Sequence, residues 1–283
     1  MTGAKLHELL VRADKSGYAI PSFNYSDIWD FLAIVEAAEE EKAPIMIASN
    51  PLVAKAISIE ICGNIGLAAM AKSKIPLCHH LDHSFEAELC RAAIDNGYPS
   101  VMIDASKYEL AENTAIVREV VEYAHAKNVH VEGEIGKIKG KGIEGDFKGG
   151  DFLAEVSDAV ELVENTGVDS LAVGIGTAHG FYEGTPQINF ARLKEINESV
   201  DVPLVLHGGT GIPEKDIREA IQNGINKINV GTIIHCTYMN NMKKELDRLG
   251  DNPYTLDVVK PVMQEIKNVV KSWIKVCMAD NKA

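Results

Sequence analysis

Short apolar runs rich in β-branched residues recur along the whole chain, separated by stretches with a helical period. The runs are Tyr18–Asn24, Pro44–Ser49, Pro76–Asp82, Ser100–Asp104, Val129–Glu134, Ser170–Gly174, Val202–His207 and Ile225–Val230. Between them lie amphipathic patterns such as Asp27–Glu41, Phe85–Asn96, Glu112–Ala126, Phe152–Thr166, Phe190–Ser199 and Pro213–Asn223. Strand and helix alternating eight times predicts parallel βαβ units. Near-continuous apolar strands predict a sheet covered on both faces. A doubly wound open sheet would share the alternation. Eight repeats with no break in composition, spread over 283 residues, favour a single α/β domain built as a closed (β/α)8 TIM barrel.

Two segments stand apart from the alternation. Lys137–Asp151 (KIKGKGIEGDFKGGD) is rich in glycine and charge, has no period, and reads as a mobile active-site loop. From about residue 235 onward the chain predicts extra C-terminal helices, with one long pattern at Val258–Val276.

Composition narrows the class. With 46% hydrophobic residues in 283, the core is large enough to need no disulfide or metal to fold, so a bound metal would be catalytic before structural. A net charge of −13 argues against a nucleic-acid partner, which needs clustered Lys and Arg. It leaves room for a small phosphorylated ligand, because backbone N–H groups at helix N-termini hold phosphate without net positive charge. The five cysteines are scattered and include no CxxC, which predicts reduced thiols and a cytoplasmic protein. The N-terminus reads as no signal peptide, and no apolar run approaches the length of a membrane span.

Barrel enzymes place their active sites at the C-terminal ends of the strands. Those ends here carry Asn24, Ser49, Asp82 with His83, Asp104, Glu132 and Glu134. His179 follows the sixth run, His207 closes the seventh, and Asn229 lies near the end of the eighth. Any one histidine reads best as a core or surface group, and His7, His125, His130 and His235 take that reading. His79 and His80 read as core residues or as groups behind the site. Three imidazoles at separate strand ends are different: three protein ligands with an open position make a catalytic zinc site. Asp82 either serves that site or caps the following helix. Asp104 and Glu134 read as caps, as partners orienting the histidines, or as a second metal position.

Two glycine turns, HGGTGIP (His207–Pro213) and NVGT (Asn229–Thr232), follow the seventh and eighth runs. Their N–H groups suit one phosphate above the barrel, where many barrels bind it.

With these residues in view, the sequence resembles the class II, metal-dependent fructose-bisphosphate and tagatose-bisphosphate aldolases. HLDH (His80–His83), SVMIDAS (Ser100–Ser106), VEGEIG (Val131–Gly136), GTAHG (Gly176–Gly180), VLHGGTGIP (Val205–Pro213) and KINVGT (Lys227–Thr232) match family motifs, in the family's order, over nearly the whole chain. The resemblance implies zinc on His83, His179 and His207, with Asp104 and Glu134 at an alternative or second metal position. It implies Asp82 as the proton-transferring residue, and Glu144 on the loop as the second proton carrier. Gly180, Gly208, Gly209, Thr210, Asn229, Val230, Gly231 and Thr232 would hold dihydroxyacetone phosphate, with Ser49 at the same phosphate and a monovalent cation (K+ or Na+) near the glycines. Asn24 is a further candidate substrate contact. The implied substrate is a phosphorylated ketose, and the implied assembly is a homodimer or homotetramer.

The match has departures. Ser84 stands where the family usually has Gly or another small residue, and KGKGIEGD differs from the usual loop pattern. NPYTLDVVKP lacks the arginine these aldolases usually present to the second phosphate. Other activities fit less well. A Schiff-base aldolase needs a desolvated lysine at a strand end, and Lys227 lies early in its run. A metal-dependent hydrolase would not need two phosphate-cradling turns. A non-catalytic phosphosugar-binding protein would not need Asp82 together with three histidines.

Overall fold

Every strand residue but Asn24 is buried, as expected of a sheet covered on both faces. The computed structural model describes residues 1–136, 153–180, 182, 184 and 186–283. Its eight strands are β1 (Ile20–Asn24), β2 (Ile45–Ser49), β3 (Leu77–Ser84), β4 (Ser100–Ile103), β5 (His130–Ile135), β6 (Ser170–Val173), β7 (Leu204–Leu206) and β8 (Ile225–Val230). All pair in parallel and in chain order, and β1 pairs with β8 to close the barrel. The open-sheet alternative is excluded. Inside, Met102, Ala172 and Val205 form a small apolar plug. The larger core lies between strands and helices.

The helices are α1 (Gly3–Ser16), α2 (Ile28–Glu41), α3 (Pro51–Ile57), α4 (Ile59–Lys72), α5 (Ala87–Asp95), α6 (Leu110–His125), α7 (Val156–Thr166), α8 (Phe190–Asn197), α9 (Glu214–Gln222), α10 (Thr232–Leu249) and α11 (Thr255–Val276). Asp27 caps α2 through a capping box with Asp30, so that helix starts where the sequence predicts. The pattern expected from Phe152 starts as a helix only at Val156. α4 escapes the periodicity because IEICGNIGLAAMAK is apolar almost all round. Its glycines serve close packing: a Cβ on Gly63 would lie 2.1 Å from Asn96 O, and one on Gly66 2.1 Å from the His79 ring.

α1 contacts both β5 and β8 at their N-terminal ends, burying Leu6, Leu9 and Leu10 across the barrel floor. The opposite end is left to the loops that build the site. Among the described residues no single helix is long and apolar enough to cross a membrane.

Candidate active site

A cavity of about 500 Å³ opens at the C-terminal ends of the strands, with Asp82, His179 and Asn229 in its wall. His83 and His207 lie buried beside it. One local irregularity makes this possible. Adjacent strand residues normally point to opposite faces, which would separate Asp82 from His83. The register of β3 against β4 shifts between Leu81 and Ser84, and His83 takes a left-handed φ of 47°. A bulge of this kind re-aims side chains. Backbone in this region costs a non-glycine residue on the order of 1 kcal/mol or more. Here it brings both side chains to the site.

His83 Nε2 lies 2.6 Å from His207 Nδ1. The His83 and His179 rings meet edge to face with centroids 4.8 Å apart, and His179 and His207 are 5.9 Å apart. A nitrogen of each ring lies within 4.8 Å of the others', so all three can serve one ion. The other nitrogen of His83, Nδ1, faces carboxylates instead: Asp104 Oδ2 at 3.4 Å and Glu134 Oε2 at 3.9 Å. His83, Asp104 and Glu134 form a second group of converging donors. Burial alone would push the Asp104 carboxyl up, but its bonds from His83 and Ser106 prevail and hold it below the usual carboxylate range. Burial, then the neighbouring His83, drives the His207 imidazole well below the usual histidine range. It is a neutral donor.

Asp82 does not cap a helix. α5 is preceded by Glu86, which makes no side-chain cap bond. Instead Asn24 Nδ2 donates to Asp82 Oδ2 at 2.8 Å, and Asn229 Nδ2 donates to Asp82 Oδ1 at 2.9 Å. Both carboxylate oxygens are fixed from either side, by residues at the ends of β1 and β8.

The glycine turns close over the same cavity. Gly180, Gly208 and Gly209 line it, as do Thr210, Gly231 and Thr232, where α10 begins. Gly208 has a φ of 70°, and a Cβ there would lie 2.2 Å from Ala178 O. Tyr182 ties the two loops, accepting from Ala178 N at 2.9 Å and donating to Gly208 O at 3.0 Å.

A family profile described as Fructose-bisphosphate aldolase class-II matches residues 4–282. The chain belongs to the class II fructose-bisphosphate aldolase family. Fructose-bisphosphate aldolases of several Staphylococcus aureus strains are 40% identical to it over 98% of both chains. The crystal structure of the YdjI aldolase from Escherichia coli K12 superposes with a TM-score of 0.88 at 32% identity, covering 98% of each chain. A putative fructose-1,6-bisphosphate aldolase from Coccidioides immitis gives 0.90 at 27%, covering 97% of this chain and 96% of the other.

Within this aldolase framework, two expected residues stand elsewhere than the lining. Ser49 is fully buried with its hydroxyl 2.8 Å from Tyr98 Oη. Val230 is buried at the end of β8. Glu144 lies outside the described residues. His235, read from sequence as an ordinary histidine, lines the cavity.

The sequence places Glu132 at a strand end and His80 in the core or behind the site, but does not join them into the network under His207. Glu132 Oε1 stands 2.8 Å from His207 Nε2, and its Oε2 accepts from Lys227 Nζ at 2.6 Å. Lys227 also reaches His80 Nε2 at 3.4 Å, and His80 Nδ1 meets Ser100 Oγ at 2.8 Å. The available signal was period two: Lys227 and Asn229 share one face of β8, as Glu132 and Glu134 share one face of β5.

Proposed function

We propose that this protein is a zinc-dependent aldolase that reversibly cleaves a ketose bisphosphate, fructose 1,6-bisphosphate or its tagatose isomer, into dihydroxyacetone phosphate and glyceraldehyde 3-phosphate. The carrying observation is Asp82, held by two asparagines beside three converging imidazoles.

The donor set fits a divalent transition ion. Three buried or half-buried imidazoles, one neutral by burial, match a catalytic three-ligand site, and carboxylates behind His83 and His207 orient two of the rings. His83, His179 and His207 would hold the ion, with Asp104 and Glu134 as the alternative position. When bound, it supplies a Lewis acid at the C2 oxygen, the electron sink that breaking C3–C4 requires.

The chain's own groups do the rest. Asp82 takes the proton of the C4 hydroxyl as the C3–C4 bond breaks, and C4 leaves as the aldehyde carbon. In condensation the same proton returns. Asn24 and Asn229 hold that carboxylate in place without neutralising it. The proton that C3 gains comes from a second carrier, for which family resemblance nominates Glu144. The substrate phosphate sits against the N–H groups of Gly208–Thr210 and Gly231–Thr232, at the positive end of α10.

The second phosphate is a separate matter. No lysine or arginine is among the described residues lining the cavity, and Leu52 and Val53 form part of its wall. This favours, as a second reading, a phosphorylated ketose whose far end is uncharged. The test is an assay of dihydroxyacetone phosphate release from a panel of mono- and bisphosphorylated ketoses, with and without chelator. Chelator-sensitive cleavage of fructose or tagatose bisphosphate supports the first reading, and preference for a monophosphate supports the second. Chelator-resistant release would overturn both.

A further inference from the structure

The opposite end of the barrel holds a second group of donors. His130 is the first residue of β5, four residues before Glu134 and so about 13 Å from it along the strand. His7 lies one turn into α1 from Gly3, on the same helix face. Gly3 is pressed against the start of β5: its N–H donates to Asn128 O at 3.0 Å, and a Cβ there would lie 2.5 Å from His130 N. That close approach sets His7 against His130, with ring centroids 6.3 Å apart. Asp169, just before β6, completes the group.

The polar bookkeeping at this spot is incomplete. His130 Nε2 meets Ser170 Oγ at 2.9 Å, yet His130 Nδ1 is buried and has no hydrogen-bond partner. His7 Nδ1 is buried and unpartnered as well. A buried polar atom left without a partner is unfavourable, and a ligand that fills the gap removes that cost. Asp169 Oδ2 already accepts from Val131 N at 2.7 Å and pairs with His125 Nε2 at 3.0 Å, which orients the carboxylate. Donor atoms of His7, His130 and Asp169 all lie within 4.8 Å of one another, on a cavity of about 410 Å³.

We propose that His7, His130 and Asp169 form a second zinc site on the floor of the barrel. Two imidazoles and one carboxylate are a donor set for zinc. Tetrahedral zinc spaces its ligands by about 3.4 Å, and rotation of the half-buried His7 and Asp169 side chains closes the difference. The fourth position takes water from the cavity. Ser170 and His125 play the usual part of outer partners, each holding one ligand by its far side. Bound between these elements, the ion acts as a staple joining α1 to β5 and the start of β6.

The test counts zinc per chain after metal stripping and equilibration with ZnCl2, in the full-length wild type, His207→Ala, His7→Ala and the double variant. Expected are two ions in the wild type and one in each single variant. The double variant binds none, and His7→Ala keeps the kcat of the wild type. Zinc should also raise the Tm of His207→Ala by several degrees, an effect lost in the double variant. His7→Gln gives the same count should alanine loosen α1. The proposal is overturned if His207→Ala binds no zinc, or if its zinc survives loss of His7. Failure of the upper-site reading shows separately, as unchanged zinc and activity in His207→Ala.

Discussion

Glu132 and Lys227, on β5 and β8, are paired at 2.6 Å inside the barrel, fully out of solvent, and the free oxygen of the pair holds His207. The carboxylate thus divides its two oxygens between the Lys227 side chain and a candidate metal ligand. Lys227 is neither at a strand end nor a free amine, which removes the Schiff-base alternative on structural grounds. Removing one partner of a buried pair typically costs about 3–5 kcal/mol. We expect Lys227→Met to lose stability on that scale in urea unfolding and to weaken zinc binding about 10–100-fold in chelator competition. Glu132→Gln with Lys227→Met should regain part of the stability but not the zinc affinity. A single variant as stable as wild type would refute the pairing.

Asp82→Asn should lower kcat by about 10²–10⁴, because an amide cannot take the C4 proton. Zinc content should stay at the wild-type level, since Asp82 bonds the two asparagines and not the imidazole cluster. Unchanged turnover would remove Asp82 from the chemistry.

His207→Ala should lose the upper ion and the activity together. Metal analysis and a cleavage assay on the same sample decide it. Full occupancy of the upper site in that variant would contradict the ligand set.

His79 carries the pH dependence most cleanly. It is buried, stacked on Tyr98 at 4.0 Å and bonded to Tyr25 Oη at 3.1 Å, and burial pushes its pKa down to about 3. Its folded value lies below the unfolded one of about 6.5. The stability tied to its neutral form is therefore complete above about pH 6.5 and lost as pH falls toward 3. For this residue alone the loss between pH 7 and pH 5 is on the order of 2 kcal/mol. His79→Leu should shrink the measured difference between those pH values by about that amount, whatever its absolute stability. An unchanged difference would mean that His79 binds its proton equally well in the folded and unfolded chain.

The strands were legible because they are apolar on both faces, and α2 because Asp27 and Asp30 spell its start. The three histidines could be picked out because each stands at or just past the end of such a strand, in a fold whose loops converge at one end. What sequence could not express is pairing across the barrel. Glu132 and Lys227 are 95 positions apart, and only closure of β1 on β8 fixes the register that joins them. The turn at His83 was equally silent, since nothing in HLDHS marks a left-handed residue. His7 and His130 read as ordinary histidines because their meeting depends on Gly3 letting a helix rest on the strand.

Gly208 links regions that chemistry would treat as separate. It belongs to the turn suited to phosphate, and the missing side chain at that position is what lets the His179 loop lie where it does. A methyl group there would shift Ala178 and, one residue on, His179. The two halves of the pocket are thus geared together: a relative that enlarged this residue to suit a different anion would have to rebuild its ion-binding loop in the same step.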